Sequence, residues 1–116
     1  MEAITVVRVE KDGIGVFHSS YTNSQQPFYR AVVERHREFP TPDEEDLKMG
    51  LNWYCAYKTV DELRSWIKVE ELQGFVDIGF RVYMLEVTDY QVGEYQAIFT
   101  KDSILTKTDI TNIFIN

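Results

Sequence analysis

The sequence predicts an α+β fold: a mixed or antiparallel β-sheet carrying two to three helices. Three observations predict it. Residues 3–9 and 80–87 are β-branched or apolar almost throughout and read as strands. Residues 27–39 and the stretch after Thr59 place apolar side chains at helical spacing. Strands then crowd the last third of the chain instead of alternating with helices, which is the order of an α+β domain and not of a parallel α/β sheet.

The elements follow in order. Residues 3–9 form a first strand, Lys11-Asp12-Gly13 supplies an Asp-Gly turn, and residues 14–18 return as a second strand. Ile14, Val16 and His18 share one face of it, because strand side chains alternate with period two. Residues 19–26 are a polar loop. Pro27 suits the first turn of a helix, where a missing N–H is not needed. Phe28, Val32, Val33 and His36 then form its stripe through Phe39, and Pro40-Thr41-Pro42 ends it. Residues 43–51 are an acidic connector and 53–58 a short buried strand. Thr59 and Glu62 have the spacing of a capping box, followed by Val60, Leu63 and Ile67. Glu70 and Glu71 belong in a first turn, since a helix amino end attracts negative charge. The reading is therefore a break near Lys68 and a second helix over 69–76, stopped by Gly79. Residues 80–87 form a central strand, 89–93 a turn, 94–99 a strand, 101–103 a turn, and 104–108 and 110–115 final strands. No repeat or linker divides residues 1–116, so one domain is expected.

Composition narrows the function classes. Apolar residues are 44% and aromatic residues 14% of the chain, enough for a packed core. The longest apolar run is Trp53 to Tyr57, far short of the roughly 20 residues of a membrane-spanning helix. The amino end has neither a basic start nor an apolar core, so no secretory signal is expected. Twelve basic against nineteen acidic residues give a net charge of −7. That sign opposes general nucleic-acid binding, which draws its affinity from cations. The densest acidic run is Asp43-Glu44-Glu45-Asp46. A single cysteine, Cys55, excludes an intrachain disulfide and a cysteine-rich zinc site. Its apolar neighbours predict a buried, inert thiol, and a reducing cytoplasm is the expected compartment.

Few residues stand out chemically. No phosphate-binding glycine loop, zinc-protease motif or nucleophile elbow is present. His18 and His36 lack partners at ligand spacing, so no metal is expected. His36, within Glu34-Arg35-His36-Arg37-Glu38, reads as part of a solvated helix face. His18, at a strand exit before Ser19, Ser20 and Tyr21, reads either as a half-buried cap of the strand or as a functional group where a strand opens into a loop. Most aromatic residues belong to the core. Tyr21 and Trp53 flank loops and are the better candidates for a cleft or a partner surface.

The succession GVFHSSY, WYCAYKTVDELRSWI, FRVYMLEVT and GEYQAIFTKDSILTKTDI resembles the ADP-ribosyltransferase-like fold. In that family a first core strand carries His or Arg and grips NAD. A second strand ends in Ser or Tyr and runs into a helix, and a late strand brings a glutamate that stabilises the oxocarbenium-like ribose. The resemblance implies His18 for the gripping position, Tyr54 or Tyr57 for the aromatic position, and Glu94 for the catalytic carboxylate. NAD is the cofactor it implies, and a macromolecule the acceptor. The family's triplet ends on the catalytic glutamate, whereas this chain reads Glu94-Tyr95-Gln96. A neutral amide in that slot would lack the charge that stabilises the cation. Glu86 is a second carboxylate, read as an ion-paired strand residue beside Arg81 or Lys101. The chain also resembles the small, acidic, aromatic-rich accessory proteins of bacteriophages. That likeness implies a non-enzymatic alternative: a protein in the host-cell cytoplasm that inhibits a host defence factor through Tyr21, Trp53 and Asp43, Glu44, Glu45 and Asp46.

Overall fold

Strand β1 (Ile4–Lys11) holds the fold together because both of its faces are buried. In the computed structural model, which describes residues 2–17 and 26–115, it pairs antiparallel with β4 (Arg81–Val87), from Ile4 opposite Val87 to Glu10 opposite Arg81. Asp12 and Gly13 both take positive φ, 53° and 82°, as a two-residue hairpin loop requires. They turn β1 into the short β2 (Ile14–Gly15). With β7 (Ile104–Asp109) beside β4, the first sheet has the order β2-β1-β4-β7. A second sheet has the order β3-β6-β5, from β3 (Trp53–Ala56), β5 (Tyr90–Val92) and β6 (Ala97–Thr100). Every pairing of these strands is antiparallel. The sheets meet where Val7 and Tyr57 exchange N–H···O bonds of 2.8 and 2.9 Å.

Alternate residues of β1 face different layers. Val7 and Val9 pack on the helical side with Tyr29 and Val32 of α1 (Pro27–Arg35), Leu63 of α2 (Val60–Trp66), and Leu72 and Phe75 of α3 (Val69–Asp77). Val6 packs on the other side with Leu85, Val87, Ala97 and Phe99, between the sheets. Arg8 and Glu10 share the face of Val6 by the same alternation, and both are buried.

The helix boundaries follow from capping chemistry. Thr59 Oγ1 accepts from the Glu62 N–H at 3.1 Å, as its spacing predicts. The Glu62 carboxylate closes instead on the Lys58 N–H at 3.2 Å, one residue before the position a full capping box uses. The chain is extended at Ile67 and Lys68, so α2 and α3 are separate helices, as the charges indicated. Glu71 sits in the first turn of α3. It accepts from the Lys68 N–H at 2.9 Å and forms a two-pronged ion pair with Arg35, at 2.7 and 2.9 Å.

Several expectations are corrected. The return strand is only β2, and its expected end at His18 lies outside the described residues, as does most of the loop that follows. Helix α1 stops at Arg35 and tightens into a 3₁₀ turn over His36–Glu38. Residues 90–92 are a strand and not a turn, and β6 starts at Ala97 and not at residue 94. Residues 110–115 are not a strand: Thr111–Phe114 forms a single turn, α4, which makes four α-helices among the described residues. Side chains end the ladder there. Ile110 N–H reaches Val82 O at 2.8 Å, but the Val82 N–H goes to Thr111 Oγ1 at 2.9 Å. Asp109 Oδ1 accepts the Thr111 N–H at 2.9 Å and turns the chain. Among the described residues no helix is long and apolar enough to cross a membrane.

Thr59→Ala is expected to lower stability by ~1 kcal/mol through loss of the cap on α2. A urea midpoint unchanged within error would show that this bond contributes nothing.

Candidate functional site: a cavity where the two sheets part

Past the Val7–Tyr57 bridge, β1 and β3 diverge, and Arg8 occupies part of the gap. Its Nη1 donates to the Cys55 carbonyl at 2.5 Å and its Nε to Glu10 Oε2 at 2.9 Å. Its guanidinium carbon lies 5.0 Å from the centre of the Tyr54 ring, a cation–π distance. Glu10 also accepts from Lys107, whose ammonium lies over Tyr83. The guanidinium is thus held on two of its three nitrogens, and Nη2 donates to none of the described residues.

Beside Arg8 opens a cavity of about 650 Å³. Val7, Val9, Ile14 and Val16 line it from the first sheet, Tyr54, Ala56 and Tyr57 from β3 and its exit, and Phe39, Pro40 and Pro42 from the segment after α1. Its charged lining is Arg8 and Arg37, and none of the nineteen acidic side chains contributes to it. Each arginine is paired with a carboxylate outside the lining, Arg8 with Glu10 at 2.9 Å and Arg37 with Glu34 at 3.1 Å.

His36 forms part of the same wall. The 3₁₀ turn after Arg35 carries it inward, where Nε2 lies 2.6 Å from Tyr57 Oη. Its ring centre is 4.2 Å from Phe17, 5.3 Å from Phe39 and 5.3 Å from Trp66. Burial among these rings lowers the imidazole to about 4, so it is neutral at pH 7. Burial raises the Tyr57 phenol far above its ordinary range. The solvated helix face expected for His36 is therefore corrected. The stripe of Phe28, Val32 and Val33 already included His36, and the flanking charges outweighed that signal in the reading.

Gln96 closes the opposite side. It is buried at the entry to β6, and its Nε2 donates to Pro40 O at 2.6 Å and to Glu45 Oε2 at 2.9 Å. Both partners are acceptors, which fixes the orientation of the amide. Glu45 Oε1 accepts the Tyr95 N–H at 2.8 Å. Gln91 binds the Lys48 backbone through both its amide atoms, at 2.8 and 3.0 Å. The 40–49 segment is thereby strapped across the second sheet.

The cavity brings Tyr54, Tyr57 and Gln96 together. Glu94 is exposed in the turn before β6 and outside the lining. His18 and Tyr21 lie outside the described residues. Trp53 is half-buried on β3, opposite Thr100. Of the acidic run, Asp43, Glu44 and Asp46 are exposed, whereas Glu45 is tied internally. Glu86 lies on the central strand β4, and the Arg81 suggested as its partner binds Asp109 instead, at 2.8 Å. Cys55 is half-buried in the lining, its Sγ 3.7 Å from Met49 Sδ, and burial raises its thiol. Sequence reasoning missed Arg8, although Arg8 and Glu10 alternate with valines inside an otherwise apolar strand. No cluster of His, Cys, Asp or Glu among the described residues is placed to hold a metal ion.

His36 makes stability depend on pH. Its folded pKa lies below its unfolded value, so the unfolded chain binds the extra proton first. The stabilisation is complete above about pH 6.5 and is lost as pH falls through about 4. Lowering the pH from 7 to 4 is expected to cost about 2 kcal/mol through this group, the full linkage value being reduced by its remaining solvent contact. His36→Gln keeps a partner for Tyr57 and should flatten that part of the profile. A wild-type urea midpoint that is level across this range would refute the buried neutral imidazole.

No curated protein and no solved structure matches the chain. Residues 1–112 match the family model described as Bacteriophage T4 Y00F protein, and since that is nearly the whole sequence, the chain belongs to this phage protein family.

Proposed function

We propose that this phage protein binds an adenine nucleotide of the NAD class in the cavity between its sheets and does not transfer ADP-ribose from it. The observation that carries this reading is the lining: two arginines, aromatic and aliphatic walls, and no carboxylate. Phosphates call for the arginines, and a flat base calls for the rings. The volume of about 650 Å³ lies within the range of small-molecule sites.

The resemblance to ADP-ribosyltransferases is kept with one addition. Arg8, on the first core strand, can serve the gripping position; His18, which the resemblance implies, lies outside the described residues. Tyr54 and Tyr57 come from the strand that runs into α2. Gln96, just before the late strand β6, lines the cavity, whereas Glu94 lies outside the lining. An amide there gives a developing ribosyl cation no negative charge, and that term is usually the largest in such a reaction. Binding without turnover follows.

A second reading is contact with a host protein in the host cytoplasm, through exposed Asp43, Glu44 and Asp46. Its support is that these three carboxylates form no part of the cavity. Charge reversal at the three positions would impair such contact and leave the nucleotide in place.

Titration calorimetry with NAD is expected to give a binding signal below millimolar concentration. Arg37→Ala should weaken it several-fold, because Arg37 is an exposed cation at the rim whose removal spares the core. Labelled NAD incubated with the protein and a bacterial lysate should label no acceptor. Absence of heat at millimolar NAD would sink the nucleotide reading, and a labelled acceptor would sink the claim of no transfer.

A further inference from the structure

Resting on the nucleotide reading, we infer that the cavity selects adenine nucleotides that carry no cationic ring: ADP-ribose, or a dinucleotide whose nicotinamide is reduced, in preference to oxidised NAD. Oxidised NAD brings a pyridinium charge that a site must offset or leave exposed to water. Three features of this cavity work against offsetting it.

The first is the lining, whose charged groups are the guanidiniums of Arg8 and Arg37, while their carboxylate partners, Glu10 at 2.9 Å and Glu34 at 3.1 Å, lie outside it. The second is the Tyr54 ring. Arg8 already lies 5.0 Å from its centre, so a pyridinium stacked there would compete with a guanidinium for the same π-face. The carboxylate nearest to Arg8, Glu10, cannot serve a ligand. It is 5% exposed and already engaged by Arg8 Nε and Lys107 Nζ. The third is Gln96, which presents a neutral amide where a carboxylate would balance the ring. Its Nε2 is held by Pro40 O and Glu45 Oε2, so the Glu45 charge is directed at the amide from behind. In a wall of low polarity, like charges a few ångströms apart repel strongly. A neutral dihydronicotinamide escapes that repulsion, and ADP-ribose, which lacks the ring, avoids it altogether. The phosphates, ribose and adenine common to all three keep their attraction to the arginines and aromatic walls.

The test is titration calorimetry of the intact protein at pH 7.5, where His36 is neutral, with ADP-ribose, reduced NAD and oxidised NAD. Reduced and oxidised NAD have the same size and phosphate charge, so their comparison isolates the ring charge. ADP-ribose and reduced NAD are expected to bind at least tenfold more tightly than oxidised NAD. Equal or tighter binding of oxidised NAD overturns this inference and leaves the nucleotide reading intact. No heat from any of the three overturns both. A second arm moves the carboxylate. The double substitution Glu45→Gln with Gln96→Glu keeps the net charge and one hydrogen bond between the two side chains, but brings the negative charge to the lining. It is expected to reduce the preference to threefold or less. If the doubly substituted protein folds, as read by its urea midpoint, and the preference stays tenfold, the missing carboxylate is not its cause and the inference fails.

Discussion

A buried guanidinium fixes the architecture of this protein. A cation taken out of water is costly unless charge and hydrogen bonds surround it. Arg8 meets that demand with Glu10, the Cys55 carbonyl and the face of Tyr54. The three partners come from both sheets, so satisfying one side chain sets how β1 and β3 diverge. Just before it, the Val7–Tyr57 bridge holds the two strands within hydrogen-bonding distance. Just beyond it, at Glu10 and Lys11, β1 pairs with β2, and the Arg8 guanidinium reaches β3 through the Cys55 carbonyl. The cavity opens beside that contact. Removing Glu10 would leave Arg8 and Lys107 without their shared counter-charge, whereas removing Lys107 would leave the Arg8–Glu10 pair whole.

How much could be read from the sequence depends on how local each signal is. The break between α2 and α3 was legible because Glu70 and Glu71 favour a helix start, and the extended Ile67 and Lys68 realise it within a few residues. Thr59 as the cap of α2 was legible for the same reason. Residues 110–115 were not, because β-branched residues suit a strand and the turn that replaces it depends on Thr111 meeting Val82 across the sheet. The site was half legible. Tyr54 and Tyr57 carry the mark of a strand running into a capped helix. Arg8 does not show itself, because a charged residue in a strand normally signals a solvent-facing edge, and only the tertiary pairing with Glu10 and Cys55 makes it internal. His36 was lost to its charged neighbours, although helical spacing put it on the stripe of Phe28, Val32 and Val33.

The electrostatics act at two ranges. At long range a net charge of −7 repels phosphates, but salt screens that field within about 8 Å at physiological ionic strength. At short range the buried Arg8 acts across a wall of low polarity, where screening is weak, whereas Arg37 is exposed and screened. If the cavity takes a small anion, as proposed, salt would speed its association by lowering the long-range barrier, the opposite of the behaviour of a protein whose whole surface is basic.

The acidic run also divides along physical lines. Glu45 points inward, where its oxygens hold the Tyr95 N–H and the Gln96 amide and so bind the 40–49 strap to the second sheet. Gly93 leaves room for it, since a side chain there would meet the Glu45 carboxylate at 2.7 Å. Asp43, Glu44 and Asp46 remain at the surface of the same short segment. The strap thus has an inner side that shapes the cavity and an outer side that carries charge. Any contact that pulled on the outer side would act on Gln96 through Glu45, because both nitrogen-bound contacts of that amide, Pro40 O and Glu45 Oε2, belong to the strap. The proposed ligand and partner therefore need not exclude one another: a partner held on the outer side of the strap would also act on the amide that lines the cavity.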